Sequence, residues 1–355
     1  MTTSRAPRNP APGTPRGGGE DARAGAGEGA RVGVQPPALA AFANRLARNR
    51  AHWGRWARRR DYGAYRVYHR DLPEFPLAID VYVAEDPAVV TRVHLQEIET
   101  GWRQDEADAA AWRAAVHATV AATLELPERA IVFKQRARRH GREQHVKTGR
   151  AARPFVVVES GLRFEVDLDA YLDTGLFLDH RALRALVRER AAGRRMLNLF
   201  AYTGSFTVYA AAGGAIASET VDLSNTYLDW AGRNFARNGL DPARHVRVRA
   251  DVLAWLPQAA EEGRRWDLIV LDPPAFSNSK AMTDVLDVQR DHAAMIMAAR
   301  GLLARDGELY FSTNLRSFVL DPRLAADPAV EDLTARTQPE DFRDARIHRS
   351  YRIRG

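Results

Sequence analysis

The stretch Trp-Asp-Leu-Ile-Val-Leu at 266–271, followed at once by Asp-Pro-Pro-Ala-Phe at 272–276, constrains the fold of this chain more than any other. Its nearly continuous Leu/Ile/Val run is typical of a parallel strand that is covered on both faces. The strand must end at Pro273, because proline has no N–H to extend a ladder. Ligands of open α/β sheets gather outside the carboxyl ends of strands. We therefore expect a binding edge here, although a purely structural Pro-Pro turn also explains the stretch at 272–276.

The second half of the chain alternates strand-like and helix-like stretches. The pattern predicts strands at 196–200, 216–221, 246–249, 266–271 and 308–313, separated by helices at 206–212, 225–238, 252–260 and 285–303. Such alternation is typical of α/β proteins with a doubly wound, mostly parallel, Rossmann-like sheet that is built from right-handed crossovers. Two β-like pieces at 333–337 and 346–353 predict an antiparallel hairpin at one edge of this sheet.

The first half is organised differently. Residues 1–36 are rich in Pro, Gly, Ala and Arg, and we predict a disordered tail because they offer little apolar surface to bury. We predict a small α+β domain that binds the substrate at 37–170, and the α/β domain at 171–355. The smaller domain is predicted to contain a basic amphipathic helix at 39–60, antiparallel strands at 65–68, 77–83 and 89–96, a helix at 105–124, a strand at 131–134 and a hairpin at 155–168.

Positive charge points to an acidic partner. The net charge is +7 at pH 7 and the isoelectric point is about 9.9, which favours nucleic acid. The arginines of the helix at 39–60 suit phosphate binding, and a solvated basic face explains them equally well. Segment 135–147 concentrates charge more strongly, so RNA contact is the hypothesis there and a solvated loop the alternative. Its candidate RNA-binding residues are Arg136, Arg138, Arg139, Arg142 and Lys147.

Cysteine is absent from the whole sequence. Structural disulfides, thiolate zinc sites, cysteine-ligated iron–sulfur clusters and thiolate nucleophiles are therefore excluded. The sequence contains neither the ~18–20-residue apolar window of a membrane span nor a secretory signal. We expect a soluble, cytoplasmic protein with no metal ion and no membrane contact, and we predict no particular oligomeric state.

Acidic residues stand at the ends of three successive predicted strands, at Asp222, Asp251 and Asp272. Before them, the first turn carries Gly204, and a glycine turn with an acid about 20 residues later is the general scheme for nucleotide-like cofactors. A complete G-x-G-x-x-G is missing, so S-adenosylmethionine, which has adenosine but no phosphates, fits better than a dinucleotide. Asp222 would bind its ribose and Asp251 would lie near its adenine amino group. Each acid taken alone is better explained as a helix N-cap. The glycine turn and the three acids together occupy four successive strand ends, and this arrangement is harder to explain by capping.

Four motifs taken together resemble one family: Asn-Leu-Phe-Ala-Tyr-Thr-Gly-Ser-Phe at 198–206, Thr-Val-Asp-Leu-Ser at 220–224, Asp-Pro-Pro-Ala-Phe-Ser-Asn-Ser-Lys at 272–280 and Phe-Ser-Thr-Asn at 311–314. They are similar to the RlmK-like class I methyltransferases, which use S-adenosylmethionine to methylate N7 of a guanine in large-subunit (23S) ribosomal RNA. The stretch 171–181 extends the resemblance, which covers roughly residues 37–355. The family implies a seven-stranded methyltransferase sheet with a smaller N-terminal α+β domain, and as partner the ribosomal RNA of the large subunit or of its assembly intermediate.

The resemblance also implies roles for two groups of residues. Those that would line the cofactor pocket are Asp179, Arg181, Asn198, Phe200, Tyr202, Gly204, Asp222 and Asp251. Those that would receive the flipped guanine are Asp272, Pro273, Pro274 and Phe276. Bifunctional members of the family carry a second half with an RNA-binding THUMP domain, which we do not find in this sequence. We therefore expect RNA affinity to come from residues 37–170 or from the rest of the substrate.

The composition agrees with the reaction that the resemblance implies. A sister family makes 5-methylcytosine by adding a cysteine thiolate to the ring, and this chain has no cysteine. Guanine N7 already offers a lone pair, so in-line methyl transfer to a flipped base needs positioning and no covalent nucleophile. Two alternatives stay open. One is methylation of an exocyclic amine, N2 or N6, of an RNA base; the other is a non-catalytic RNA-binding or ribosome-assembly protein with the same fold.

Overall fold

A computed structural model describes residues 36–98, 106–136, 149–277 and 285–355, with only the backbone of residues 36, 37, 135 and 136. Of the predicted tail at 1–36, residues 1–35 lie outside these ranges, and residue 36 begins a helix. The candidate RNA-binding residues Arg138, Arg139, Arg142 and Lys147 and the side chain of Arg136 lie outside them as well. RNA contact by this basic segment therefore stays a prediction.

Two helices and four strands form the first part of the fold: α1 (Pro36–Arg59), β1 (Ala64–His69), β2 (Leu77–Tyr82), β3 (Arg92–Ile98), α2 (Glu106–Leu124) and β4 (Ile131–Arg136). The antiparallel sheet predicted for β1, β2 and β3 is confirmed, and β4 joins it parallel to β3. A parallel neighbour needs a crossover, which α2 supplies. Phe42 and Leu46 of α1 and Val116 and Val120 of α2 are fully buried in the core that the helices share with the sheet.

The predicted hairpin is also confirmed, with β5 (Phe155–Glu159) antiparallel to β6 (Leu162–Val166). Ser160 and Gly161 in its turn have φ of +55° and +78°. Two consecutive residues with positive φ match the right-handed twist of the strands that a two-residue turn joins. One apolar core contains residues of this hairpin, of the small sheet and of the later α/β part. The hairpin therefore packs against the small sheet and against the α/β part.

The α/β part begins with a 3-10 turn at Leu178–His180. Its elements then run in the order α3 (Arg181–Arg190), β7 (Arg195–Leu199), α4 (Ser205–Ala212), β8 (Ala217–Asp222), α5 (Asn225–Arg237), β9 (His245–Arg249), α6 (Val252–Glu261) and β10 (Trp266–Leu271). These bounds agree with the predicted strands and helices to within one or two residues.

The remaining elements are β11 (Phe276–Ser277), β12 (Leu286–Asp287), α7 (Val288–Arg300), β13 (Leu303–Thr313), α8 (Pro322–Ala325), β14 (Val330–Asp332), α9 (Thr334–Thr337) and β15 (Arg349–Arg354). The strand predicted at 333–337 is wrong. Asp332 accepts the N–H of Thr334 at 2.7 Å and the Thr337 hydroxyl donates to the carbonyl of Leu333 at 3.1 Å. These local bonds favour a helical turn over an extended strand, and the edge hairpin is made by β14 and β15 instead.

The main sheet has seven strands in the order β14-β15-β13-β10-β7-β8-β9. Strands β13, β10, β7, β8 and β9 are parallel, and β15 is antiparallel to both of its neighbours. This topology confirms the predicted α/β class with a mostly parallel seven-stranded sheet. Leu268, Ile269, Val270 and Leu271 of the central β10 are 0% exposed, as a strand covered on both faces requires. No helix among the described residues has the length and apolar character needed to cross a lipid bilayer.

Ile269 tests how much the buried β10 contributes to stability. Ile269→Ala removes most of a side chain that is 0% exposed, so we expect the free energy of unfolding to fall by about 2–5 kcal/mol. Urea denaturation followed by circular dichroism measures this change. The control is Val319→Ala, at a residue that is 67% exposed, for which we expect a change within about 0.5 kcal/mol. Equal effects of the two substitutions would contradict the burial of β10.

Candidate active site

A cavity of about 750 Å³ lies at the carboxyl ends of the parallel strands, and we call it the edge cavity. The segments that follow β7, β8, β9, β10 and β13 line one side, and β1, β2 and β3 of the small sheet also contribute side chains to its lining. The volume falls within the roughly 300–1,000 Å³ of small-molecule pockets. Ligand binding at this edge is what an open α/β sheet predicts.

The turn after β7 has a backbone that residues other than glycine rarely adopt. Phe200 and Tyr202 have φ of +56° and +52°, and Gly204 has φ of +73°. Non-glycine residues in this region cost about 1 kcal/mol or more each and cluster at functional sites. Gly204 is required sterically as well, because a Cβ there would lie 2.7 Å from the ring of Phe235. The turn brings Phe200 and Tyr202 into the lining of the edge cavity.

Two carboxylates are oriented at the wall of the edge cavity by backbone N–H groups. Asp222 accepts the N–H of Tyr202 at 2.9 Å and that of Ser224 at 2.8 Å. Asp251 accepts the N–H of Leu253 at 3.1 Å and is the N-cap of α6. The N-cap of α5 is Ser224. The capping explanation therefore accounts for Asp251, whereas Asp222 is held at the cavity wall without capping a helix.

Asp272, directly after β10, is paired with His180. The Ser312 hydroxyl donates to Asp272 Oδ1 at 2.6 Å, and His180 Nε2 lies 3.4 Å from the same oxygen. Burial alone would raise the pKa of Asp272, but His180 and Ser312 outweigh it and hold the pKa below its ordinary value. Burial alone would lower the pKa of His180, but the charges of Asp272 and Asp179 raise it to about 9. At neutral pH the two groups therefore form a carboxylate–imidazolium pair.

His180 belongs at the same time to a buried cluster with Asp179 and His348. The Nδ1 atoms of the two rings lie 3.7 and 3.6 Å from Asp179 Oδ2, and the rings stack with centroids 5.3 Å apart. Burial opposes ionisation of Asp179, but the two rings outweigh it and hold its pKa well below the ordinary value. Potential ligand atoms of the three residues lie within 4.8 Å of one another. The expectation that the protein holds no metal ion therefore stays a prediction at this cluster.

Two charged residues of the small sheet line the edge cavity without having been predicted there. Arg66 on β1 and Asp80 on β2 face each other in the strand register and form a two-fold hydrogen-bonded ion pair at 2.6 and 2.9 Å. The guanidinium of Arg66 also lies 4.0 Å from the ring centroid of Phe342, another lining residue. In the sequence, the signal for this ion pair was one charged residue within each of two largely apolar strands, Arg66 and Asp80. For His348, far from His180 along the chain, the sequence carried no signal.

Most, but not all, of the predicted site residues lie at the edge cavity. Those in its lining are Asp179, Phe200, Tyr202, Asp222, Asp251, Asp272, Pro273 and Pro274. Four predicted residues lie outside the described lining: Arg181, Asn198, Gly204 and Phe276.

Each of these four has another environment. Arg181 is 3% exposed and ion-paired with Glu159 and Asp341, so its side chain is engaged within the protein and not in the cavity lining. Asn198 is buried within β7 and donates to the hydroxyl of a threonine on α4 at 3.1 Å. Gly204 acts through its backbone conformation. Phe276, on β11, is 38% exposed.

Comparison with known proteins places this architecture in a family. A profile of the S-adenosylmethionine-dependent methyltransferases matches residues 88–347. The chain is 55% identical over 316 residues to the ribosomal RNA large subunit methyltransferase K of Neisseria meningitidis, covering 89% of this chain and 87% of that protein. It is 50% identical over 313 residues to the ribosomal RNA large subunit methyltransferase K/L of Methylococcus capsulatus, but spans only 42% of that protein. The crystal structure of SMU.776 complexed with SAH has the same fold, with a TM-score of 0.71 at 24% identity, covering 89% of this chain and 82% of that one.

Asp222 is the residue to test for cofactor binding. We expect Asp222→Ala to weaken the binding of S-adenosylhomocysteine by about 10–100-fold, because hydrogen bonds to a charged group contribute roughly 1.5–3 kcal/mol. Isothermal titration calorimetry measures the affinity. Asp229→Ala, on the helix α5 that follows β8 and with a side chain that is 74% exposed, is the control and should bind normally. Unchanged affinity in Asp222→Ala would remove the ribose-binding assignment.

His180 predicts a pH dependence of stability. Its folded pKa of about 9 is above the ordinary value of 6.5, so the stabilisation is fully present below pH 6.5 and is lost as the pH rises through 9. We expect the wild type to lose up to about 3 kcal/mol of unfolding free energy over this window, and His180→Gln to lose much less. Urea denaturation at a series of pH values measures both, with His52→Gln on the exposed side of α1 as the control. Parallel pH profiles of wild type and His180→Gln would contradict the charged pair.

Proposed function

This chain belongs to the S-adenosylmethionine-dependent methyltransferase family, and we propose that it methylates N7 of a guanine in large-subunit ribosomal RNA. The observation that carries the proposal is that one cavity is lined by Asp222 and Asp251 and also by the Asp-Pro-Pro edge at 272–274. A cofactor and a base that is flipped out of its stack can therefore meet inside it.

The residues of the edge cavity fit the cofactor. S-adenosylmethionine, when bound, supplies a methyl group on a sulfonium that is open to nucleophilic attack. Asp222, fixed by two N–H groups, suits two ribose hydroxyls, and Asp251 suits the adenine amino group. The turn at 200–204 contains no cation, which agrees with a cofactor that carries no phosphates. Phe200 and Tyr202 would provide apolar contacts to it.

The protonation states at the Asp-Pro-Pro edge favour N7 over an exocyclic amine. Methylation of N7 uses an existing lone pair and releases no proton, whereas methylation of an amine must pass a proton to a base. Asp272 is held ionised by Ser312 and His180 and is a weak base, and His180 is already protonated at neutral pH. Methylated N7 leaves a positive charge on the purine, which the ionised Asp272 would stabilise.

Asp272 also suits guanine better than adenine. A carboxylate only accepts hydrogen bonds, and the Watson–Crick edge of guanine presents two neighbouring donors, N1–H and the N2 amine. Adenine presents an acceptor at N1, which an ionised carboxylate would repel. The two prolines after Asp272 fix the backbone, so the carboxylate is positioned before the base arrives.

Ribosomal RNA as the substrate is inferred from the Neisseria relative, which the chain matches over most of its length. Because the chain spans 42% of the K/L relative, only the activity of the matching part enters the proposal. The absence of cysteine supports a route without a covalent protein–base intermediate.

The direct test is the identity of the methylated nucleoside. The purified protein is incubated with labelled S-adenosylmethionine and 23S ribosomal RNA from a strain that lacks the gene, and the digested RNA is examined by mass spectrometry. We expect N7-methylguanosine. N2-methylguanosine or N6-methyladenosine would rule out the N7 assignment. No transfer by a protein that still binds S-adenosylhomocysteine would favour the non-catalytic alternative.

Asp272→Asn tests the base-binding carboxylate. We expect kcat to fall by about 100-fold, because the substitution removes the charge that positions guanine and stabilises the methylated ring, while S-adenosylhomocysteine affinity changes little. Asp267→Asn is a matched control on the same strand, at its opposite end, where the carboxylate accepts the N–H of Arg195 at 2.8 Å. Initial rates at saturating RNA measure the effect. Similar rates for the two variants would contradict the role of Asp272.

A further inference from the structure

A second, smaller cavity of about 290 Å³ lies between α1, β1 and the segment at 341–343, and we call it the α1 pocket. Its volume is near the lower end of the range for ligand pockets, enough for one flat ring system. The lining residues that matter here are Arg45, Asn49, Trp53, His69, Asp71 and Arg343. The three from α1 are spaced by four residues and so share one face of the helix.

Two residues that line the α1 pocket each carry a buried nitrogen without a hydrogen-bond partner among the described residues, Arg45 Nε and His69 Nδ1. His69 is 6% exposed, and burial together with the nearby Arg66 lowers its pKa to about 4. The ring is therefore neutral and offers both a donor and an acceptor nitrogen. Buried polar atoms without partners are costly, and the hydrogen-bonding capacity of these two side chains is not used up within the protein.

Other polar side chains of the α1 pocket are either held by hydrogen bonds within the protein or exposed to solvent. Asp71 accepts the Nδ2–H of Asn49 at 3.0 Å and the N–H of His69 at 3.1 Å, so its carboxylate holds the pocket walls. Arg343 Nη1 lies 3.6 Å from Asp71, yet the Arg343 side chain is 62% exposed. An exposed guanidinium beside a small polar pocket suits a phosphate group.

Trp53 adds an aromatic wall to the α1 pocket. Its partly buried indole is braced by the rings of His52 and Trp56, with centroids 4.6 and 5.4 Å away. Proteins that bind single-stranded RNA stack bases on such rigid aromatic side chains and on arginine planes, and read base edges with polar groups. The α1 pocket combines these features.

The segment at 341–343 contributes to both the α1 pocket and the edge cavity. Phe342 lines the edge cavity, and its ring meets the His69 ring edge to face with centroids 5.9 Å apart. Its neighbours Asp341 and Arg343 line the α1 pocket. An RNA strand that crosses residue 342 can therefore reach both cavities.

We propose that the α1 pocket binds a nucleotide of the RNA strand that carries the target guanine, with its base against Trp53, Arg45 and His69 and its phosphate at Arg343. The proposal rests on the function proposed above and adds a second contact, which holds the strand while the guanine lies in the edge cavity. It gives the basic helix at 39–60, which carries Arg45 and Trp53, a part in RNA binding through a base and not through a phosphate.

The test compares steady-state methylation of deproteinised 23S ribosomal RNA by the full chain and three variants. We expect the KM for RNA to rise about tenfold in Arg45→Gln and in Arg343→Gln, with kcat and the calorimetric affinity for S-adenosylhomocysteine unchanged. Arg343→Gln should also reduce the slope of log KM against log salt by about 0.7–0.9, as the loss of one phosphate contact does. Arg305→Gln is the control, because its side chain is 97% exposed near the amino-terminal end of β13, away from both cavities.

Each outcome decides the proposal. Unchanged KM values in both pocket variants would overturn it. So would a loss of activity on intact large-subunit particles that is absent on deproteinised RNA, which would point to a protein partner. If Arg45→Gln loses S-adenosylhomocysteine affinity, its fold is disturbed. The KM for RNA of Arg343→Gln, at an exposed side chain, then decides whether the proposal holds. If the wild type methylates another nucleoside, the function proposed above fails, but the KM comparison still tests the α1 pocket. If no methyl group is transferred, the affinity for the same RNA measured by filter binding replaces KM.

Discussion

A buried network of charges centred on Glu159 holds the small sheet, the hairpin and the methyltransferase sheet together. Glu159 is 0% exposed and pairs with Arg184 at 2.6 Å and with Arg181 at 3.1 Å. Arg181 continues to Asp341 at 3.2 Å and to the carbonyl of Ala64 at 2.6 Å. Burial opposes the charge on Glu159, but the two arginines outweigh it and keep its pKa below the ordinary value. Removing one partner from such a network leaves an uncompensated buried charge, at a cost of about 3–5 kcal/mol.

The same network determines which groups face the strand ends. Asp341 also accepts the N–H of Arg66 at 2.9 Å, so β1 and the segment that carries Phe342 are fixed relative to each other. Arg66 and Phe342 then line the same edge cavity as Asp222 and the Asp-Pro-Pro edge. The cavity is thus a product of two sheets, and the α1 pocket lies on the other side of the same segment. The contacts of Arg181 are therefore structural, although it directly follows the cavity-lining His180.

Much of the fold could be predicted because its signals are local. Periodicity and proline placed the elements from β7 to β10 to within one or two residues, whereas β13 begins five residues before its predicted start and α7 is shorter than predicted by three residues at each end. Ser160-Gly161 placed the hairpin turn. The prediction failed at 333–337, where hydroxyl and carboxylate bonds to the backbone produce a helical turn that apolar patterning does not reveal. It also could not find the stacking of His180 on His348, because these residues lie far apart in the sequence and only the folded chain brings them together. The pairing of Arg66 with Asp80 follows from the register of β1 and β2, which the predicted strands alone do not fix.

The sequence by itself determined that this chain forms a parallel α/β sheet with acids at successive strand ends, an Asp-Pro-Pro edge and no thiol chemistry. These are properties of residue order and composition, which do not depend on distant partners. Only the tertiary structure decided that Asp222 and Asp272 share one cavity, that Arg181 and Asn198 turn away from it, and that Asp272 is paired with a charged His180. The reason is that burial and electrostatic attraction act through space, so the protonation state and exposure of a side chain are set by neighbours that lie far away in the sequence.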